Sequence, residues 1–260
     1  MEIVPLFGKV YGSGAPRQLL ILHGLFGMGD NWASLAKEWA EHGWEVHALD
    51  ARNHGRSPHH PEHNYDAMVA DTLAYMDLHS IEKPVVLGHS MGGKTAMHLA
   101  VTHPGRVEAL VVVDIAPKAY PIHHQVYIDA MRSVKFDGVS RRSEVEDQLK
   151  SQVGNAGIRQ FFMKSLHRTE NGTFAFRFNL EALNNHLALV GTPLEFGHYM
   201  APTLFISGAL SGYIQPADHE KIYEHFPDAE LVVVPNAGHW VHAEARDAFS
   251  QIVVEFLGAR

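Results

Sequence analysis

The chain has 260 residues, 46% hydrophobic and 19% charged, the proportions of a globular protein able to bury a large core as one α/β domain. A net charge of −8 argues against nucleic acid as a partner, and the absence of cysteine excludes disulfides and cysteine chemistry. No apolar run approaches the ~20 residues of a membrane span, and no basic segment leads into an apolar stretch at the start. A cytoplasmic protein without a membrane partner is the expectation.

In chain order, the first residues, including Ile3-Val4-Pro5-Leu6-Phe7, are expected to form an antiparallel edge pair. Apolar runs follow at 19–22, 44–49, 84–87, 109–113, 203–206 and 231–234. They are short, rich in β-branched residues and continuous rather than alternating, as in strands covered on both faces. Residues 31–43, 66–80 and 91–103 can each make one crossover helix. This alternation implies a mostly parallel sheet of about eight strands flanked by helices.

One spacing breaks the rhythm: 89 residues separate Val113 from Thr203, far more than a crossover needs. Helical patterns lie at 125–134, 142–151, 157–165 and 180–189. Asn171-Gly172 turns into the extended run Thr173-Phe174-Ala175-Phe176-Arg177-Phe178. Residues 118–195 read as a helical lid without a core of its own, inserted into a domain made of 1–117 and 196–260.

Gly88-His89-Ser90-Met91-Gly92 fits the G-x-S-x-G nucleophile elbow. An apolar strand precedes it and a helix follows, ending near Pro104-Gly105. The tight turn needs small neighbours, which Gly88 and Gly92 supply, and Ser90 then sits at a helix N-terminus that favours developing negative charge. A glycine-rich turn with an incidental serine is the competing reading, and the strand-turn-helix context weighs against it.

A serine hydroxyl is a poor nucleophile at neutral pH and needs a base, which in turn needs an orienting acid. His239 follows the last strand in Pro235-Asn236-Ala237-Gly238-His239-Trp240, on the sheet edge that also carries Ser90. His89 and His242 compete less well, one locked inside the elbow and the other a helical turn further on. Where an acid commonly follows the penultimate strand, the loop reads Gly208-Ala209-Leu210-Ser211-Gly212-Tyr213, with Ser211 at the acid position. Asp114 stands one strand earlier, after three valines, where an unpaired carboxylate is costly to bury. The order Ser90, Asp114, His239 matches the hydrolase order. Alternatively, Asp114 only braces the loop entering the lid. Backbone N–H groups of Met91 and of the His23-Gly24-Leu25-Phe26-Gly27 loop are expected to form an oxyanion hole, with Leu25 first and Phe26 second.

These motifs, with Asp50-Ala51-Arg52-Asn53-His54-Gly55-Arg56-Ser57, Lys94 after the elbow, Val113-Asp114-Ile115-Ala116-Pro117 and Gly238-His239-Trp240-Val241-His242-Ala243-Glu244, run nearly end to end. They resemble the serine esterases of the α/β-hydrolase superfamily, particularly small bacterial esterases related to α/β-hydrolase domain-containing protein 11. The resemblance implies an α/β-hydrolase fold, an acid at the Asp114 position, no cofactor, and hydrolysis of carboxylic esters or thioesters, acyl-CoA and simple aryl or alkyl esters included. A cofactor-free C–C hydrolase, lyase or acyltransferase on the same triad is the alternative, and a non-catalytic ligand-binding homologue is a third reading. Ser90 argues against the dehalogenases and epoxide hydrolases that use a carboxylate nucleophile.

The segment 50–57 could contact substrate, but Asp50, Arg52 and His54 are expected to brace one another and position nearby loops. Phe161, Phe162, Phe174, Phe176 and Phe178 either line an acyl pocket or dock the lid. The substrate-binding set is placed at Phe26, Phe162, Phe178 and Trp240. Twenty histidines include His59, His60 and His63, yet zinc-enzyme spacing is missing and no metal is expected. The partner is a small-molecule ester or acyl thioester, bound by a monomer or small homo-oligomer.

Overall fold

A continuous apolar run can satisfy its backbone polar groups without water only if strands flank it on both sides. The computed structural model describes residues 2–258. Chain order gives β1 (Gly8–Tyr11), β2 (Arg17–Leu22), α1 (Ala33–Glu41), β3 (Trp44–Leu49), α2 (Tyr65–Leu78), β4 (Val85–His89), α3 (Met91–Thr102) and β5 (Ala109–Val113). Next come α4 (Gln125–Ser133), α5 (Arg142–Leu149), α6 (Ala156–Lys164), β6 (Leu166–Arg168), β7 (Phe174–Phe176), α7 (Leu180–Asn185) and α8 (Leu187–Val190). The chain then returns through β8 (Thr203–Gly208), α9 (His219–His225), β9 (Ala229–Val234), α10 (Val241–Glu244) and α11 (Arg246–Gly258).

Among the described residues the main sheet has seven strands in the order β1-β3-β2-β4-β5-β8-β9, with β1 alone antiparallel. Alternate side chains serve opposite layers, as the two-residue period of a strand requires. Leu19, Ile21, Val85, Leu87, Val111 and Val113 pack with Trp32, Trp39, Phe249 and Val253 on one face. Leu20, Leu22, Val86, Leu110 and Val112 pack with Met76, Met97, Leu99 and Phe226 on the other.

Two expectations need correction. The start of the chain gives one edge strand, not a pair, and its partner is β3. Residues 3–7 stay outside the sheet because Pro5 has no N–H and its neighbours are claimed elsewhere: Val4 N–H by Asp71 (2.7 Å) and Phe7 N–H by Ser57 (2.8 Å). At the other edge β9 is not covered on both faces, and Val233 lies exposed.

The sheet grows outward from β2, to β3 on one side and to β4 on the other. Leu22 pairs with Gly88, so the loops after β2 and β4 flank one crevice at the topological switch point. Over this edge lies the long insertion between β5 and β8. Its helices match the four patterned stretches, except that the last is divided at His186. The β6–β7 hairpin follows the Asn-Gly signal, with Gly172 at φ 80°. The insertion's apolar residues Ile128, Met131, Leu149, Phe162, Phe176 and Leu183 are buried in a cluster that it shares with the sheet domain. The cluster is closed below by Leu25, Phe26, Tyr65, Met68 and Met91.

Candidate active site

Ser90 ends β4 and begins α3 at φ 52°, ψ −116°, a strained conformation for a non-glycine residue that costs about 1–3 kcal/mol. A Cβ at Gly88 would lie 2.2 Å from the Gly92 carbonyl oxygen, and one at Gly92 would lie 2.1 Å from that of Leu22. Only glycine fits at either position. Ser90 N–H donates to Val113 O at 3.0 Å and Lys94 N–H to Ser90 O at 3.0 Å, which ties the elbow to β5 and to its own helix.

Asp114, fully buried, follows β5 at φ 50°. Its Oδ2 accepts from His239 Nδ1 at 2.7 Å and from Ser211 Oγ at 2.5 Å, while Oδ1 accepts from Gly208 N–H at 3.1 Å. Three donors thus satisfy the carboxylate that ends the valine run. With Nδ1 facing the carboxylate, Nε2 is the nitrogen of His239 left to take a proton. Ser90 and His239 face the same cavity of about 170 Å³, and no hydrogen bond joins them among the described residues.

The structure also shows what holds the His239 loop. Glu244 accepts from Gly238 N–H (2.7 Å) and Trp240 N–H (3.2 Å), and His89 Nε2 donates to His239 O at 2.9 Å. Burial, with His239 and His242 close by, keeps His89 well below the ordinary histidine pKa and therefore neutral. Tyr213 stacks on the His239 ring with centroids 4.0 Å apart. Sequence reasoning missed Tyr213 and Glu244. Both lie within a few residues of Ser211 and His239, but nothing in local periodicity marks which side chain turns back.

The cavity wall includes Leu25, Phe26, Tyr127, Phe161, Phe162 and Trp240. Phe178, placed in the substrate set from sequence, does not reach it. Its ring packs behind Phe26 (5.7 Å) and beside His54 (5.7 Å) instead. Phe174 and Phe176 likewise belong to the apolar cluster of the insertion. The five aromatics therefore divide: Phe161 and Phe162 line the cavity, and the other three dock the insertion.

The loop after β2 brings Leu25 N–H and Phe26 N–H near the elbow, but the second is taken. Phe26 N–H donates to His54 Nε2 at 3.2 Å, so Phe26 is corrected as an oxyanion donor. Leu25 N–H has no acceptor among the described residues, and neither has Met91 N–H, whose place in the first turn of α3 leaves it without an intrahelical partner. His54 can accept because burial, reinforced by His23 and His63, holds it neutral while Nδ1 donates to Arg52 O at 2.9 Å. Of Asp50, Arg52 and His54, the expected bracing joins only the last two, through the Arg52 carbonyl; Asp50 bonds to neither. Asp50 accepts from Gly29 and Arg56 N–H groups, and Arg52 forms a two-pronged pair with buried Asp71 at 2.6 and 2.9 Å. Asp71→Asn would leave Arg52 buried and poorly compensated. A loss of roughly 3–5 kcal/mol is expected in urea unfolding; a change near zero would show that this pair does not hold the loop.

A model of the alpha/beta hydrolase fold matches residues 18–245, and the chain belongs to that family. Over 247 residues it is 43% identical to the sn-1-specific diacylglycerol lipase ABHD11 of Mus musculus, across 92% of this chain and 80% of that protein. Over 242 residues it is 34% identical to Esterase YbfF of Escherichia coli (strain K12), across 92% of each. A solved structure described as a marine microorganism esterase superposes with a TM-score of 0.94 at 37% identity, over 97% of this chain and 99% of that one. With this family, these relatives and this fold match, the chain is a carboxylesterase-type hydrolase. Among the described residues no helix is long and apolar enough to cross a membrane.

Proposed function

We propose that the protein cleaves carboxylic esters or thioesters of small to medium apolar acyl groups through an acyl-enzyme on Ser90. The observation that carries this reading is one cavity faced by Ser90 at its strained turn and by His239, whose Nδ1 lies 2.7 Å from buried Asp114. His239 takes the Ser90 proton through Nε2 as Oγ attacks the carbonyl carbon, and Asp114 stabilises the imidazolium so formed. The N–H groups of Leu25 and Met91 receive the negative charge on the carbonyl oxygen. His239 then returns its proton to the leaving oxygen or sulfur, and water attacks the acyl-enzyme by the same route in reverse.

Residues 118–195 act as the lid, whose Phe161 and Phe162, with Phe26 and Trp240, supply an apolar surface for the acyl chain. Part of the insertion's remaining apolar surface is used in docking to the sheet domain, which supports short and medium chains. A series of 4-nitrophenyl esters from acetate to palmitate tests the assignment. kcat/KM should peak among the shorter chains and fall roughly tenfold or more by palmitate. A rise that continues to palmitate, or a preference for amides, would refute it.

A further inference from the structure

Lys94, four residues beyond Ser90, is fully buried, and no carboxylate pairs with it among the described residues. Its Nζ donates to two backbone carbonyls at 2.5 Å each, those of Lys118 and Thr192. These lie where the insertion leaves the sheet domain and where it returns. The two passages run side by side: Tyr120 N–H donates to Gly191 O at 2.8 Å and Leu194 N–H to Pro117 O at 3.1 Å. The pair forms a neck, and Lys94 is the side chain that ties both of its strands to the helix carrying the nucleophile. The neck also reaches the base. Tyr120 hydroxyl accepts from Ala116 N–H at 2.8 Å and donates to Tyr213 O at 2.6 Å, and Tyr213 stacks on His239.

We propose that Lys94 is a positioning residue that fixes the neck of the insertion to the first turn of α3, and so sets how the insertion sits over Ser90 and His239. The inference rests on reading residues 118–195 as a lid. An apolar side chain of similar length would fill most of the space and leave two half-buried carbonyls without donors. The tie does not require a charge. Burial, with Lys221 and Lys118 nearby, draws the amine down to about 7, and a neutral amine still offers two N–H groups for two carbonyls.

Hydrogen exchange on the whole chain tests this without substrate, so its outcome is separate from that of the esterase reading. In Lys94→Met, amides at 118–127 and 187–194 should exchange roughly tenfold or more faster, while those of β2, β4 and β5 keep their protection. Lys94→Gln, with donors on a shorter stem, should fall between. With 4-nitrophenyl butyrate, KM should rise more than kcat falls, and the glutamine variant should recover part of the difference. Unchanged neck exchange in Lys94→Met overturns the proposal. So does loss of protection in neck and central strands together, which would make Lys94 a residue of the core. If Lys94→Met does not fold, Lys94→Gln decides alone: selective loosening of the neck supports the proposal, and uniform loosening or none overturns it.

Discussion

Ser90→Ala should remove ester hydrolysis almost entirely and leave the fold intact. The substitution takes away only Oγ, and no hydrogen bond of that atom is present among the described residues, so little stability is at stake. Alanine inherits the backbone strain at φ 52° that serine already bears. Loss of the nucleophile in a triad that acts as a unit costs about 10⁶-fold in kcat. A residue of catalysis over water, roughly 10³–10⁴-fold, should survive through the oxyanion donors and substrate binding. Turnover of 4-nitrophenyl butyrate, labelling by a fluorophosphonate probe and far-ultraviolet circular dichroism together check the claim. A folded variant that keeps wild-type turnover would remove Ser90 from the chemistry.

What could be read beforehand, and what could not, follows from the range of the forces involved. The strand runs, the crossover helices and the elbow are local: burial on both faces needs continuous apolar residues, and the tight turn needs Gly88 and Gly92. These were legible. The partner of β1 was not, because a four-residue strand carries no mark of which edge it joins. The Phe26 amide was misplaced for a related reason. It lies at an expected position, but His54, 28 residues away in the chain, captures its N–H. Phe178 has the right residue type in the right segment, yet the hairpin turns it behind Phe26 and away from the cavity. Lys94 stood inside a motif already quoted, and its task emerged only when Lys118 O and Thr192 O came within 2.5 Å. Periodicity reports which face of an element is buried; capture of a particular donor depends on contacts that close only in the folded chain.

The orienting acid is the most exposed assignment, and two single substitutions separate the rival readings. Asp114 receives three donors, and two of them, His239 Nδ1 and Ser211 Oγ, converge on the same oxygen. In Asp114→Asn, the amide oxygen can keep the Gly208 N–H, which turns the NH₂ toward Ser211 and His239. Ser211 can reverse its hydroxyl and accept. His239 can accept only by moving its proton to Nε2, the tautomer that cannot act as base toward Ser90, and the amide supplies no charge to steady an imidazolium. A fall in kcat of about 10⁴-fold is expected, with the fold retained. Ser211→Ala deletes one charge-assisted bond to the carboxylate and leaves both the imidazole contact and the Gly208 bond in place. Its cost should be nearer tenfold, from an Asp114 held less firmly. Measured side by side on one ester, the two variants should differ in kcat by about a thousandfold by the same reckoning. Near-normal turnover in Asp114→Asn alongside collapse in Ser211→Ala would move the orienting role from β5 to the loop after β8.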